Sequence, residues 1–155
     1  MKRRELEVRW RVRDCGDSFP DYNASKPVRG PDDLQAYLAP LAAQTTEALW
    51  VVILNVRMCV QGHREVTRGT LHSTTAPTAE VLQAALWGGG AAFILAHNHP
   101  SGDTTPSSDD IEATARIAAG ATAIGLPLLD HVVCGLGTSG EVITTSLKSR
   151  GLMPA

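Results

Sequence analysis

Two histidines and one aspartate have the types and spacing of a metal-binding site. His97 and His99 are separated by one residue, and Asp110 follows eleven residues after His99. Because residues i and i+2 of an extended chain point to the same side, both imidazoles are expected to converge on one point. Two neutral imidazoles and one carboxylate leave the fourth tetrahedral position for water, which is the layout of a catalytic zinc site. The spacing therefore predicts Zn²⁺ bound by His97, His99 and Asp110.

The segments around these residues explain how the chain brings them together. Ala91–Ala96 is a short apolar run, which predicts a buried strand that ends next to His97. A polar loop with glycine and proline follows, and Ser107–Ile124 is predicted to be a helix. Ser107 and the acid three residues later have the spacing of a capping box, which would also fix the direction of Asp110.

The remaining segments predict a mixed α/β domain. Ala48–Val56 is a continuous β-rich run and is predicted to be a buried central strand. The helix Ser107–Ile124 is predicted to have a small apolar inward face, made of Ile111, Ala115 and Ala118. The other predicted elements are strands at Lys2–Arg13, Met58–Thr67, Leu128–Cys134 and Glu141–Leu147, and helices at Asp32–Ala43 and Pro77–Trp87. This order indicates an α/β fold of three layers, in which helices cover a mixed sheet.

The composition narrows the class of protein. The chain has 155 residues, of which 43% are hydrophobic, and this length predicts one domain with a substantial core. The net charge of −2 gives no support for a nucleic-acid or anionic membrane partner. The most apolar stretch, Val81–Ala96, has 16 residues and is shorter than a membrane-spanning helix, and no signal peptide is expected. Three scattered cysteines favour a reduced, cytoplasmic protein over a disulfide framework.

The N-terminal segment is predicted to be an edge strand followed by a loop. Lys2–Arg13 alternates charged and apolar residues, and its six basic and two acidic side chains give a local charge of +4. This pattern is typical of a solvated edge that resists aggregation, and a nucleic-acid contact is the alternative. We divide the chain into this N-terminal part, residues 1–31, and a main domain, residues 32–155. An edge strand of this kind could also pair with its copy across a homodimer.

The spacing of the candidate ligands also resembles a known family signature. His97-x-His99, seven residues and then Ser107-x-x-Asp110 resembles the His-x-His-x7-Ser-x-x-Asp pattern of the JAMM (MPN-domain) metalloproteases. The fuller segment Ile94–Asp103, together with Pro106-Ser107, is similar to the bacterial RadC family within that group. Further similarity is found at Arg68–Leu71, Leu129–Val133 and Arg150–Leu152, so that the resemblance spans Leu49–Leu152.

This resemblance implies both a fold and an activity. The fold is the three-layer helix–mixed sheet–helix architecture of JAMM (MPN, cytidine-deaminase-like) domains. The activity is that of a zinc hydrolase that cleaves a peptide or isopeptide bond. His97, His99 and Asp110 would be the ligands, and Ser107 would hold the metal-bound water or the oxyanion formed at the attacked carbonyl.

The resemblance further implies an upstream glutamate as the general base. Glu65, four residues before Gly69, is the best match, and a surface carboxylate on a strand is the alternative. Glu80 is the second choice, but it begins a predicted helix, where an acid also interacts favourably with the helix dipole. In either case the carboxylate would take a proton from water and pass it to the departing amine.

Several other polar residues have open assignments. Asp103 is interpreted as a partner that orients a histidine ring, with a turn residue as the alternative. His131 is interpreted as a packed or partner-contacting histidine, with a catalytic role as the alternative, and no role is assigned to His63 or His72.

Two classes of function are consistent with the sequence. The first is a cytoplasmic zinc hydrolase with an unidentified peptide or isopeptide substrate. The second is a non-catalytic, metal-containing interaction module associated with DNA repair, as the family's historical label suggests. Longer family members carry an N-terminal helix-hairpin-helix, which has no counterpart in this sequence, so a DNA contact would depend on Lys2–Arg13 or on a partner. No membrane association is expected.

Overall fold

The computed structural model describes residues 25–69 and 77–154. The helices in this part of the chain are α1 (Gln35–Ala42), α2 (Thr78–Gly88) and α3 (Ser108–Ala123), and a 3-10 turn at Pro31–Leu34 leads into α1. The strands are β1 (Ala48–Leu54), β2 (Val60–Arg68), β3 (Ala92–Asn98), β4 (Leu128–Leu136) and β5 (Val142–Ser146). The predicted edge strand Lys2–Arg13 and His72 lie outside the described residues.

The five strands form one mixed sheet in the order β2-β1-β3-β4-β5. β1 is antiparallel to β2 and to β3, β3 and β4 are parallel, and β5 is antiparallel to β4. The parallel pair is joined by α3, because parallel strands need a long crossover connection. All seven residues of β1 and of β3 are buried, in agreement with the apolar runs that predicted central strands.

Helices cover both faces of this sheet, which confirms the predicted three-layer helix–mixed sheet–helix fold. α1 packs on the face that carries Trp50, Val52 and Leu54, whereas α2 and α3 pack on the face that carries Leu49 and Val51. Successive side chains of a strand point to opposite faces, so even-numbered residues of β1 face α1 and odd-numbered residues face α2 and α3. This alternation decides which side chains can meet at the end of the sheet.

The inward face of α3 differs from the prediction. Ile111, Ala115 and Ala118 were expected to be buried, but the fully covered positions are Thr114, Ile117 and Ala121, and Ala115 is exposed. These covered residues follow Asp110 at intervals of four, seven and eleven, which is one face of a helix. The helix is therefore rotated so that the face of Asp110, including a polar threonine, lies against the sheet.

Among the helices of the described residues, α3 is the longest, with 16 residues, and it contains charged side chains. Within residues 25–69 and 77–154, no helix combines the length and the apolar composition needed to cross a bilayer.

Candidate metal centre

The end of β3 places two histidines on the same face of the sheet. β3 continues through Asn98, so that His97 lies inside the strand and not after it. His97 pairs with Leu49 of β1 and therefore lies on the α3 side, where it is 1% exposed. His99 follows two residues later, and its backbone N–H donates to the carbonyl of Cys134 in β4. The alternation of the strand thus directs both imidazoles to one side, as the sequence predicted.

The start of α3 directs Asp110 toward these rings. Ser107 is the N-cap residue, and the predicted capping box is present: the Ser107 hydroxyl accepts from the Asp110 N–H at 3.1 Å. Asp110 Oδ2 accepts from the Ser107 N–H at 2.9 Å and from the Ser107 hydroxyl at 2.7 Å. Because these bonds occupy Oδ2, the other oxygen of Asp110 is directed at His97 Nε2, 3.3 Å away.

The donor atoms have the spacing that a small divalent cation requires. His97 Nε2 lies 2.9 Å from His99 Nε2 and 3.3 Å from Asp110 Oδ1, and His99 Nε2 lies 3.7 Å from Asp110 Oδ2. In a tetrahedral site with metal–ligand bonds of about 2.0–2.1 Å, neighbouring ligand atoms are about 3.3 Å apart. In the described part of the chain, these three residues form the group that could hold a metal ion.

The outer nitrogen of each ring is engaged, which leaves the inner nitrogen for a metal. His99 Nδ1 donates to the backbone carbonyl of Asp103 at 2.6 Å, so His99 Nε2 carries the lone pair in the neutral ring. The sequence suggested that Asp103 orients a ring, and its carbonyl makes this contact while its carboxylate accepts from the Thr105 N–H, as in a turn. His97 Nδ1 lies 2.8 Å from Nε2 of His131. Burial, reinforced by the neighbouring His97, lowers the pKa of His131 to about 3, so this ring is neutral at neutral pH.

The three candidate ligands influence each other's ionisation. Burial alone would raise the pKa of Asp110, but the facing imidazoles of His97 and His99 and the hydrogen bond from the Ser107 hydroxyl hold that pKa well below its usual range. Asp110 in turn raises the pKa of His99 against the opposing effect of burial. Asp110 is therefore a carboxylate at neutral pH, as a metal ligand must be.

A fourth ionisable residue, Glu47, faces the same space. A cavity of about 370 Å³ opens beside the ligands and is lined by Glu47, His97, His99, Pro100, Ser101, Ser107, Asp109 and Asp110. Glu47 directly precedes β1 and lies two residues before Leu49, the strand partner of His97. Its negative charge also contributes to the raised pKa of His99. Glu47 and Asp109 are therefore the carboxylates that line the cavity without being candidate ligands, and Glu47 is the one that directly precedes the strand paired with β3.

Asn98, which lies between the two histidines in the chain, holds the segment that carries Glu47. Its side chain is fully buried and points to the opposite face of the sheet from His97. Asn98 Oδ1 accepts from the Ala48 N–H at 2.8 Å, and Nδ2 donates to the carbonyls of Gln44 and Thr46, each at 3.1 Å. The end of β3, which carries the two histidines, thus also holds the segment that leads into β1.

The structure does not bring Glu65 to this cavity. Glu65 pairs with Trp50, an even-numbered residue of β1, and therefore lies on the α1 face, opposite to His97. Its carboxylate accepts from Trp50 Nε1 at 3.2 Å and from two guanidinium nitrogens of Arg68 at 2.7 and 2.9 Å. Glu80, the second choice, is an exposed residue in the first turn of α2 and does not line the cavity either.

The sequence analysis missed Glu47, Asn98 and Thr114, and it assigned His131 to packing. The available signal for Glu47 was its position two residues before Leu49, at the entrance of a strand next to the strand of the histidines. Asn98 had a similar signal, because a polar side chain inside a buried strand requires hydrogen-bond partners.

Comparisons with known proteins agree with this architecture. Residues 28–152 match the family model described as RadC-like JAB domain. The chain is 36% identical to a UPF0758 protein of Clostridium beijerinckii over 127 residues, which cover 81% of this chain and 53% of the relative. It is 37% identical to a UPF0758 protein of Staphylococcus carnosus over 118 residues, covering 76% and 52%. The chain thus spans about half the length of these curated relatives. Since the family model covers most of the chain, the chain belongs to the RadC-like JAB domain family.

Proposed function

We propose that this chain is a zinc-dependent hydrolase that cleaves a peptide or isopeptide bond. One observation carries the proposal: three donor atoms of His97, His99 and Asp110 converge at the mouth of a cavity that also contains Glu47. A ligand group held by its own contacts, with a separate carboxylate nearby, is the arrangement that metal-assisted hydrolysis needs.

Zinc is the metal that these donors favour. Two imidazole nitrogens and one carboxylate oxygen are typical zinc ligands, and three protein ligands leave one position open. Zinc bound there would supply Lewis acidity, which polarises a carbonyl group and acidifies water. His97 and His99 would bind the ion through Nε2, and Asp110 would bind it through the oxygen that Ser107 does not occupy.

Glu47 is the proposed general base, in place of Glu65. A carboxylate in the cavity can take a proton from the attacking water and return it to the departing amine. Glu65 is unsuited to this task, because Arg68 holds its pKa below the usual range against the opposing effect of burial. Ser107 lines the cavity, but its hydroxyl hydrogen is directed at Asp110 Oδ2. Its first role is therefore to orient a ligand, and stabilisation of the oxyanion remains a proposal.

The charge of the cavity favours bonds that lie within a chain. Glu47, Asp109 and Asp110 line it, and none of its described lining residues is a lysine or arginine. A site that removes C-terminal residues needs a cationic side chain to bind the terminal carboxylate, and the described lining supplies none. An internal peptide bond or a lysine-linked isopeptide bond carries no such charge at the point of cleavage.

The test is a pair of isosteric substitutions on opposite faces of the sheet. Wild type, Glu47→Gln and Glu65→Gln are loaded with zinc and assayed on linear peptides and on lysine-linked isopeptides. Zinc content is measured in parallel. We expect Glu47→Gln to keep the metal and lose about 10²–10⁴-fold in hydrolysis, the usual contribution of a general base. Glu65→Gln should retain the activity of wild type.

The outcomes separate the parts of the proposal. Full activity of Glu47→Gln would show that another group accepts the proton. Wild-type protein that binds zinc but hydrolyses no substrate of either class would favour the non-catalytic module. Wild-type protein that binds no zinc would contradict the proposal as a whole.

A further inference from the structure

A chain of buried hydrogen bonds begins at His97 and leads away from the cavity. His97 Nδ1 lies 2.8 Å from His131 Nε2, and His131 Nδ1 lies 2.6 Å from the hydroxyl of Thr114. The Thr114 hydroxyl in turn donates to the backbone carbonyl of Asp110 at 2.6 Å. His97, Thr114 and His131 are 1%, 0% and 3% exposed, so water does not compete for these bonds. The chain thus connects the side chain of one candidate ligand to the backbone of another.

The direction of every proton in this chain follows from its last member. A carbonyl oxygen can only accept, so the single hydrogen of the Thr114 hydroxyl points at Asp110. The hydroxyl oxygen must then accept from His131 Nδ1–H. A neutral His131 with its proton on Nδ1 has a lone pair on Nε2, and that lone pair requires a proton on His97 Nδ1. His97 Nε2, which faces the cavity, is left without a proton.

We propose that Thr114 and His131 are positioning residues that set the tautomer of His97. Through them, the Asp110 carbonyl dictates that the His97 lone pair faces the cavity. His99 needs no such relay, because its Nδ1 donates directly to the carbonyl of Asp103. The two histidines are therefore oriented in different ways, one by a loop carbonyl and the other by a buried chain of side chains.

The position of Thr114 explains why a polar residue occupies the buried face of α3. It lies four residues after Asp110, which is the separation at which a helical threonine reaches the preceding carbonyl. The same side chain lies against β4, where His131 is located. Valine has nearly the same shape but offers neither donor nor acceptor. Without the hydroxyl, His131 is free to carry its proton on Nε2, donate to His97 and move the His97 proton to the nitrogen that faces the cavity.

The experiment compares wild type with three variants of α3. Thr114→Val removes the hydroxyl at nearly constant volume, and Thr114→Ser keeps it. Ile117→Val is the matched control, because Ile117 is buried one turn further along the same face and its side chain has no hydrogen-bonding group. Each metal-free protein is labelled with ¹⁵N-histidine, and two-bond ¹H–¹⁵N correlation spectra report which ring nitrogen carries the proton. Zinc affinity is then measured by chelator competition.

We expect the wild type, Thr114→Ser and Ile117→Val to show His97 protonated on Nδ1. Thr114→Val should show a mixture of tautomers or the Nε2-protonated form. Its zinc affinity should fall by about 10–100-fold, as is typical for losing an outer-shell partner of a ligand. The serine variant should stay close to wild type, which a role of Thr114 in packing alone does not predict.

The two readouts keep this inference separate from the proposed function on which its metal arm rests. An unchanged His97 tautomer in Thr114→Val would overturn the inference, whatever the zinc affinity. An equal loss of affinity in Ile117→Val would overturn it too, because general loosening of the helix would then explain the effect. If the wild type bound no zinc, the proposed function would fail, and the spectra of the metal-free proteins would still decide the role of Thr114.

Discussion

Two groups of histidine and carboxylate side chains occupy opposite faces of the same sheet. The metal-centre cluster consists of His97, His99 and Asp110 on the α3 face. The Trp50 cluster consists of Tyr37, Trp50, His63 and Glu65 on the α1 face. Both lie in or beside the central strands and combine imidazole with carboxylate, yet their contacts suit them to different purposes.

The side chains of the Trp50 cluster are hydrogen-bond and stacking partners of one another. The His63 ring stacks on Trp50 with centroids 3.7 Å apart and planes inclined by 8°, and its Nδ1 lies 2.7 Å from the Tyr37 hydroxyl. Glu65 accepts from Trp50 and is paired with Arg68. Burial lowers the pKa of His63 to about 4, against the opposing charge of Glu65, so the ring is neutral at neutral pH. This cluster is a packed polar network.

In the metal-centre cluster, the hydrogen-bond partners of the outer atoms lie outside the cluster. Its partners hold the outer atoms: the Asp103 carbonyl holds His99, His131 holds His97, and Ser107 holds one oxygen of Asp110. The inner atoms face one another: His97 Nε2 lies 2.9 Å from His99 Nε2 and 3.3 Å from Asp110 Oδ1. The comparison teaches that residue types alone do not distinguish a candidate metal centre from a packed polar network. The direction of the lone pairs does, and outer hydrogen bonds set that direction.

The largest expected effect is the loss of zinc binding when the carboxylate of the metal-centre cluster is removed, compared with removal of the carboxylate of the Trp50 cluster. Asp110→Ala should lose zinc binding by more than the ~10–100-fold typical of an outer-shell partner, because a ligand itself is lost. Glu65→Ala, on the other face, should bind zinc like wild type. Zinc content after dialysis and chelator competition measure both.

A control separates the ligand from the helix cap. Asp110→Ala also removes part of the capping box, and Ser107→Ala removes its other part while keeping the Asp110 carboxylate. Losing a cap costs about 1 kcal/mol of folding stability. If Ser107→Ala released as much zinc as Asp110→Ala, the cap and not the ligand would explain the loss.

The features that depend on residues close to one another in the sequence could be predicted from the sequence. His97 and His99 share a strand end, and Asp110 begins the next helix, so their meeting depends on one short loop. Apolar runs and helical periodicity likewise predicted the buried strands β1 and β3 and the three-layer fold. The capping box at Ser107 followed from the identity of two residues.

The parts that depend on which face a side chain occupies could not be predicted. Every residue of β1 is buried, so alternation of apolar and polar residues gives no sign of which residues face α1 and which face α3. The placement of Glu47 beside His99 and of Glu65 beside Trp50 depends on strand pairing and on an irregularity of register between Leu49 and Trp50. The rotation of α3 was missed because its buried face includes the polar Thr114, which an apolar pattern passes over.

A smaller effect on activity is expected from substitution of Asn98, whose side chain is bonded to the backbone on both sides of Glu47. Asn98→Ala removes three hydrogen bonds of a buried side chain to the segment that carries Glu47, at a cost of about 2–3 kcal/mol in the free energy of unfolding. Hydrolysis should fall because Glu47 loses its anchored position, while zinc content stays the same because His97 and His99 keep their own contacts. Urea unfolding, zinc content and activity test the three statements.

A second substitution shows which bonds of Asn98 matter. Asn98→Asp keeps an acceptor for the Ala48 N–H but turns a buried carboxylate oxygen toward the carbonyls of Gln44 and Thr46, so its stability and activity should fall at least as far as those of Asn98→Ala. Loss of zinc from both variants, in proportion to their loss of stability, would show instead that the end of β3 itself had moved.

The smallest effect concerns the acid sensitivity of the Trp50 cluster. His63 has a pKa of about 4 in the folded protein and an ordinary value of 6.5, so the unfolded chain binds more protons between these values. Stability should therefore fall as the pH drops from 7 to 4, and His63 should account for on the order of 1 kcal/mol at pH 5, after allowance for screening of a partly exposed ring.

His63→Phe keeps an aromatic ring on Trp50 without a titrating group, so it should lose less stability than wild type in urea unfolding at pH 7, 6 and 5. Contributions from His131 are common to both proteins and cancel in the difference. Parallel pH profiles would mean that His63 is already solvated in the folded state, and the Trp50 cluster would then not be the closed network that distinguishes it from the metal centre.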